Sequence, residues 1–329
     1  MDTSVPVNPN DLFSASGLVI VLTGGGSGIG LAIASVLGKS GASRIYILGR
    51  RLSALEEAAI SIGPAAIPVE CDVSKPSSVS AIVAKVEQEF GYVDVLINNA
   101  GVSGPDDMAA SSADTIEELQ NILLANQEGW ASTFAINTSA IGRVSAAFLK
   151  LLDTGNRRRG WEGGKIPDNR PRQREMGGLA EKGIALDDQR SSQIITVASI
   201  SGLNRRIASG LAYGASKAGA IHLSKMLAHL LVPWGIRSNV INPGGKLTSA
   251  SIPIEAMQKL IISNCAVYPS AMSAGIDDYS YKEIPASRTG TFHDIAGIVL
   301  YLVGKSGAYV NGSMINTDGG RASVMPAAT

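Results

Sequence analysis

Cysteine and histidine are scarce in this chain, with two of the first and three of the second in 329 residues. Cys71 and Cys265 are too few for the bridge framework of a small secreted domain, so a reducing, cytoplasmic setting is the expectation. His222, His229 and His293 have no metal-ligand partner at a convincing spacing, and no metal site is expected. Neither sign of charge is in excess. Lys plus Arg and Asp plus Glu number 28 each, which leaves no global field to draw the chain to nucleic acid or a membrane surface. Long apolar runs are missing too. The first, at 18–22, is far too short to cross a bilayer and lacks the basic region and cleavage site of a signal peptide. No targeting address is legible at the last residues. The chain is nonetheless 45% hydrophobic and only 17% charged, a balance that builds a sizeable core and argues against disorder.

Short β-rich runs alternate with helical patterns. Strands are expected at 18–22, 45–48, 66–69, 93–97, 194–197, 238–241 and 313–316, and helices at 28–40, 52–60 and 79–90. Continuous apolar runs suit parallel strands buried on both faces. The alternation points to an α/β fold: a single Rossmann-type domain with a doubly wound parallel sheet. Residues 153–192 break the rhythm, being rich in Gly, Arg, Asp and Gln without periodicity. They read as a partly mobile surface insertion. Between 157 and 174 they hold seven Lys or Arg against two acidic residues. That basic stretch reads first as a solvated loop, with the docking of an acidic carrier protein or a phosphopantetheine arm as the alternative.

Two motifs carry chemistry. Thr23-Gly24-Gly25-Gly26-Ser27-Gly28-Ile29-Gly30 follows an expected strand and opens an expected helix, the context a phosphate-binding loop requires. Glycines allow a tight turn and close backbone approach, and the helix N-terminus favours an anion. A plain turn is the competing reading. The second strand then ends in Gly49-Arg50-Arg51, where an NAD enzyme would place an acidic residue for the ribose 2′-hydroxyl. A guanidinium there suits a 2′-phosphate, so NADP(H) is favoured, with Arg50 ahead of Arg51. A solvated pair of arginines is the alternative.

The second motif is Tyr213-Gly214-Ala215-Ser216-Lys217. Tyrosine, with a pKa of about 10, is a poor acid–base group at neutral pH. A cation four residues on shares its helix face and is expected to lower that value. Tyr213 could then give a proton to a carbonyl or take one from an alcohol.

The loop spacing Gly24-x-x-x-Gly28-x-Gly30, with Tyr213 and Lys217, resembles the short-chain dehydrogenase/reductase family, and within it 3-oxoacyl-carrier-protein-reductase-like members. The resemblance covers nearly the whole chain apart from the insertion and both tails. It implies that Asp72, next to Val73, contacts the adenine amino group, with a helix N-cap as the other reading. It implies that Asn99, Ala100 and Gly101 stabilise the sheet and line the adenosine ribose. Pro243 and Gly244 would lie near the nicotinamide, Thr248 would bond its carboxamide, and Lys217 would hold its ribose. Ser199 would polarise the substrate carbonyl, with Ser201 as fallback. Asn137 would hold a water linking the lysine to solvent, against a kinked helix with a satisfied amide.

The resemblance also implies a substrate lid at 245–288. Its Ile252, Ile254, Met257 and Leu260 point to a hydrophobic ketone or 3-oxoacyl substrate, free or carrier-bound. Family members commonly pair through the helix that carries the tyrosine, so a homodimer or homotetramer is implied. An NADPH-dependent carbonyl reductase is the leading expectation. An isomerase or cyclase without net redox change, or a non-catalytic NADPH-binding protein, are the alternatives.

Overall fold

A computed structural model describes residues 8–105, 107–125, 127–207, 209–244 and 280–325. Seven strands form one sheet: β1 (Val19–Thr23), β2 (Arg44–Gly49), β3 (Ala66–Glu70), β4 (Val95–Asn98), β5 (Gln193–Val197), β6 (Arg237–Pro243) and β7 (Met314–Thr317). Their order is β3-β2-β1-β4-β5-β6-β7, and all neighbours are parallel. The expected Rossmann-type sheet is therefore present, and each expected strand lies close to its expected bounds. The helices are α1 (Pro9–Leu12), α2 (Gly28–Lys39), α3 (Leu52–Ile62), α4 (Pro76–Glu89), α5 (Ile116–Ala125), α6 (Gln127–Phe134), α7 (Ala140–Arg158), α8 (Leu211–Leu230) and α9 (Phe292–Val303).

Alternation along the strands divides the core. Ile20, Leu22, Ile45 and Ile47 point to one face, where Leu31 and Leu37 of α2 and Ile295 and Val299 of α9 cover them. Val19, Val21, Tyr46 and Leu48 point to the other, beneath Val79, Ile82 and Val86 of α4 and Val144 and Phe148 of α7. Period-two side chains buried on both faces are why these strands read as unbroken apolar runs. The i, i+3, i+7 spacing in α4 is the matching helical stripe. Among the described residues no helix is long and apolar enough to cross a membrane.

The segment 153–192 differs in part from its surface reading. Helix α7 runs on to Arg158, and the chain beyond it buries Leu179 and Ile184. It also buries charge. Arg159, 2% exposed, donates from Nε to Asp94 at 2.9 Å and from Nη1 to Asp188 at 2.7 Å. Arg190 grips both oxygens of Asp188 at 2.8 Å. Asp94 accepts the N–H of Val19 at the head of β1. Burial would raise the Asp188 carboxyl, but the bonds and charge of Arg190 and the charge of Arg159 outweigh it and hold the group at about 2. Its folded value lies below the unfolded one, so the stability it contributes is present above about pH 4 and lost as pH falls through about 2.

This cluster sits where the strands begin, at the edge of the sheet opposite the glycine-rich loop. The remaining arginines of the stretch are engaged as well. Arg157 pairs with Asp153 and Arg170 with Glu162, while Arg172 donates to the Glu162, Gly164 and Pro233 carbonyls. Arg174 bonds the Arg159 and Asp188 carbonyls and stands over the Trp161 ring. Of the seven basic residues at 157–174, Arg157, Arg159 and Arg170 pair with carboxylates. Arg159→Ala would leave Asp94 buried without its cation and Asp188 with Arg190 alone, and breaking such a buried pair costs about 3–5 kcal/mol. Urea titration should show a loss of that size, and wild-type stability would show the network to be dispensable.

Candidate active site

The site is built at the C-terminal ends of the strands, around the point where the order reverses between β1 and β4. There Thr23, 2% exposed, ends β1. Its hydroxyl accepts the N–H groups of Asn99 and Ala100, both at 3.0 Å. The Asn99 amide donates back to the Thr23 and Gly24 carbonyls, both at 3.1 Å. Gly24 lies at φ +69°, and a Cβ there would come within 3.0 Å of the Ala100 backbone. A Cβ on Gly30 would lie 2.0 Å from the Gly24 carbonyl oxygen. The helix start can rest on the loop this closely only as glycine.

Ser27 caps α2 in an extended conformation and makes no side-chain cap bond. The start of α2 is thus left without a side-chain cap, next to a cleft that Gly24, Ser27, Arg50, Arg51, Asp72, Val73, Ala100 and Gly101 line. Gly28, Ile29 and Gly30 form the first turn behind it. Asp72 uses Oδ1 on the Ser74 N–H and hydroxyl. Those bonds, then the Lys75 and Arg50 charges, hold it below the usual carboxylate range. Asp72 is therefore not the N-cap of α4, a place held by Lys75; it closes the turn before that helix, on the wall of the same cleft.

At the inner end Gly101 leads to the second cluster. A Cβ on Gly101 would lie 3.2 Å from Asn137 Oδ1 and 3.4 Å from Lys217 Nζ. Asn137, fully buried, stands in a π-helical turn, Ala135–Ser139, between α6 and α7, and such turns are frequent at functional sites. Its amide accepts the Val102 N–H and donates to the Val102 carbonyl, both at 2.9 Å, and to Ser216 Oγ at 3.0 Å. Ser199 follows β5, and the hydrogen bond between its hydroxyl and the Tyr213 phenol draws Tyr213 down. The Ser201 backbone N–H donates to Ser199 Oγ at 3.1 Å, and of the two serines it is Ser199 that acts on the Tyr213 phenol. Lys217 donates to the Val197 carbonyl at 3.1 Å, its Nζ lying 5.7 Å from the Tyr213 ring centroid.

Electrostatics here differ from the expectation. Tyr213 is half-buried by surface area, yet desolvation pushes its phenol up, more than the Ser199 bond draws it down. Burial alone brings Lys217 down to about 8. Both groups are moved towards their neutral forms, whereas spacing alone implied a lowered tyrosine. Pro243 and Gly244 end β6, and the Gly244 N–H donates to Thr317. A Cβ on Gly244 would lie 2.8 Å from Ile200, next to Ser199. Thr248 and the lid positions 245–279 lie outside the described residues.

Sequence reasoning missed the supports of the site. Thr23 was visible in the loop motif but carried no role. Ser216, inside the Tyr-x-x-x-Lys motif, links Asn137 to the Tyr213 carbonyl. Thr23→Val keeps shape but leaves the Asn99 and Ala100 N–H groups without their acceptor. It should cost about 2–4 kcal/mol of unfolding free energy, and an unchanged denaturation midpoint would show that water replaces the hydroxyl.

A family model described as short chain dehydrogenase matches residues 18–161, and one described as Enoyl-(Acyl carrier protein) reductase matches residues 179–322. The chain is 34% identical to short-chain dehydrogenase/reductase PhomF of Diaporthe leptostromiformis, over 96% of this chain and 95% of that protein. It is 27% identical to 3-oxoacyl-[acyl-carrier-protein] reductase FabG of Escherichia coli (strain K12), over 92% and 97% of the two. The solved Pseudomonas aeruginosa RhlG/NADP active-site complex is 25% identical, with a TM-score of 0.65 over 95% of this chain and 99% of that one. Parallel sheet, glycine loop and Tyr–Lys helix agree with these matches over nearly the whole length: the chain belongs to the short-chain dehydrogenase/reductase family of oxidoreductases.

Proposed function

We propose that the protein is an NADPH-dependent reductase acting on a hydrophobic ketone or 3-oxoacyl group, with Tyr213 as the proton donor. The observation that carries this is the juxtaposition of Ser199, Tyr213 and Lys217, with Lys217 beside Gly101 of the cleft that begins at the glycine loop.

The cleft suits a dinucleotide. Gly24 at φ +69° and the uncapped N-terminus of α2 offer backbone donors to a pyrophosphate. Arg50 and Arg51 stand at the end of β2 on the wall of the cleft, where a 2′-phosphate would lie. The related RhlG structure was solved as an NADP complex. When bound, the cofactor supplies the hydride. The chain's own residues do the rest. Ser199 donates a hydrogen bond where negative charge develops on the carbonyl oxygen. Tyr213, kept in its acid form by burial, protonates that oxygen. Lys217 places a cation within reach of both. The apolar residues of 245–288 in the sequence and the likeness to a 3-oxoacyl reductase support the substrate class.

Tyr213→Phe should lower kcat by about 100- to 10,000-fold, the span of general-acid contributions, and leave NADPH binding by fluorescence titration within about threefold. Retained NADPH oxidation in a panel of ketones and 3-oxoacyl thioesters would remove the mechanism. The pH dependence follows from Lys217. Its folded value, about 8, lies below the unfolded one, so the folded chain sheds this proton first as pH rises. Reduction should therefore decline as pH passes about 8, and a flat profile up to about pH 10 would deny the ammonium a role.

Cofactor choice rests on a separate side chain. Arg50→Ala should raise the KM for NADPH by about tenfold or more and change that for NADH by less than about threefold. Equal effects on the two would take Arg50 out of phosphate recognition.

A further inference from the structure

Asp107 is 2% exposed, yet none of the chemistry above uses it. It lies on the loop that leaves β4 through Asn99, Ala100 and Gly101, immediately before a 3₁₀ turn, Met108–Ser112. Its Oδ2 accepts the backbone N–H of Leu211 at 3.1 Å, across 104 residues of sequence. Leu211 is the first residue of α8, and Tyr213 follows two positions later.

An N-cap side chain ordinarily closes the start of a helix by accepting its second or third N–H; the acceptor for α8 comes from outside the helix and takes the first. Here the N-cap is Gly210, at φ +87°, which has no side chain to offer. None would fit, because a Cβ on Gly210 would lie 2.3 Å from the Pro105 carbonyl oxygen. The loop therefore occupies the place of the cap and supplies the acceptor itself. Among the described residues no salt bridge reaches Asp107. Its counter-charge is the N-terminal end of α8, whose free N–H groups carry a partial positive charge.

The loop is in turn fixed elsewhere. Val102 is bonded through both its N–H and its carbonyl to Asn137. A Cβ on Gly104 would lie 2.6 Å from Thr133 Oγ1, and one on Gly129 would lie 2.4 Å from Pro105, so the loop is pressed onto α6. Asn137 also reaches Ser216. Helix α8 is thus tied to this loop at Leu211 and, through Asn137, at Ser216, and the two ties bracket Tyr213.

We infer that Asp107 is a positioning residue: it holds the first turn of α8 against the loop that forms the Gly101 wall, and so fixes the Tyr213 phenol relative to Ser199. This rests on the proton-donor reading of Tyr213. The test is a double-mutant cycle in the full chain. Asp107→Ala removes the acceptor. Leu211→Pro removes the donor at a helix position that tolerates proline, behind a Gly210 whose ψ of 151° already suits it. Leu211 is 37% exposed, so a core is not disturbed.

Each single variant should lower kcat by about 10- to 100-fold, the cost of a small misplacement, with NADPH affinity and KM within about threefold. The double variant should be no worse than either single, because both delete the same bond. Asp107→Asn, which keeps an acceptor oxygen, should restore most of the rate. Amide exchange at 212–216 should quicken about tenfold or more in Asp107→Ala, with the glycine-loop peptides unchanged. Additive losses, wild-type kcat in Leu211→Pro, or a fall in kcat matched by lost NADPH binding would each overturn the inference. Tyr213→Phe runs alongside. If it retains turnover, the proton-donor reading falls, and amide exchange at 212–216 alone decides whether Asp107 holds the helix.

Discussion

The closure of β1 onto β4 by Thr23 and Asn99 is the constraint on which the rest of the site depends. The sheet grows in opposite directions from this pair, towards β2 and β3 on one side and β5 to β7 on the other, so the helices that follow diverge and leave a crevice. A crevice lined by loose loop ends would collapse or fray. Here one buried hydroxyl accepts two N–H groups, and one amide spans two carbonyls. The glycine loop and the Asn99-Ala100-Gly101 turn become one unit. The near-contact of Gly30 with Gly24 then seats α2 on that unit. Its open N-terminus is aimed by neutral, short-range bonds that salt cannot screen.

The two edges of the sheet are stabilised by different means, and this separates structure from chemistry. At the edge where strands begin, Arg159, Asp94, Asp188 and Arg190 satisfy one another completely enough to be buried. At the end where they finish, Lys217 is equally hidden but among the described residues its hydrogen-bond partner is the Val197 carbonyl. Burial acts on both cations, with opposite outcomes. Two carboxylates carry Arg159 above its ordinary value, whereas Lys217, with no acidic partner among the described residues, falls to about 8. A structural cation is held permanently charged, and a cation in the site is left able to change.

The sheet was legible in the sequence because its strands are buried on both faces and its period-two pattern merges into unbroken apolar runs. The first turn of α2 was legible because only glycine satisfies positions 24 and 30. Tyr213 and Lys217 were legible through helical spacing. The supports were not, because they join residues remote in sequence by types that occur everywhere. Thr23 binds Asn99, Asn137 binds Ser216, and neither pair leaves a periodic trace. The insertion misled for a related reason. Polar composition signals solvent, but Arg159, Asp188 and Arg190, which pair with one another and with Asp94, are packed inward, and composition carries no record of pairing.

The same limit governs the tyrosine. A spacing of four brings a cation near a phenol, and Coulomb attraction in isolation would favour the phenolate. The outcome depends on what surrounds the pair. Nζ stands 5.7 Å from the ring centroid and is engaged with Val197, while desolvation opposes charge on both groups. For a residue proposed to deliver a proton this is the useful direction: the phenol stays an acid, and the Ser199 hydrogen bond moderates the rise. The reverse reaction would need the phenolate, and hence positive charge beyond what the described side chains place beside Tyr213.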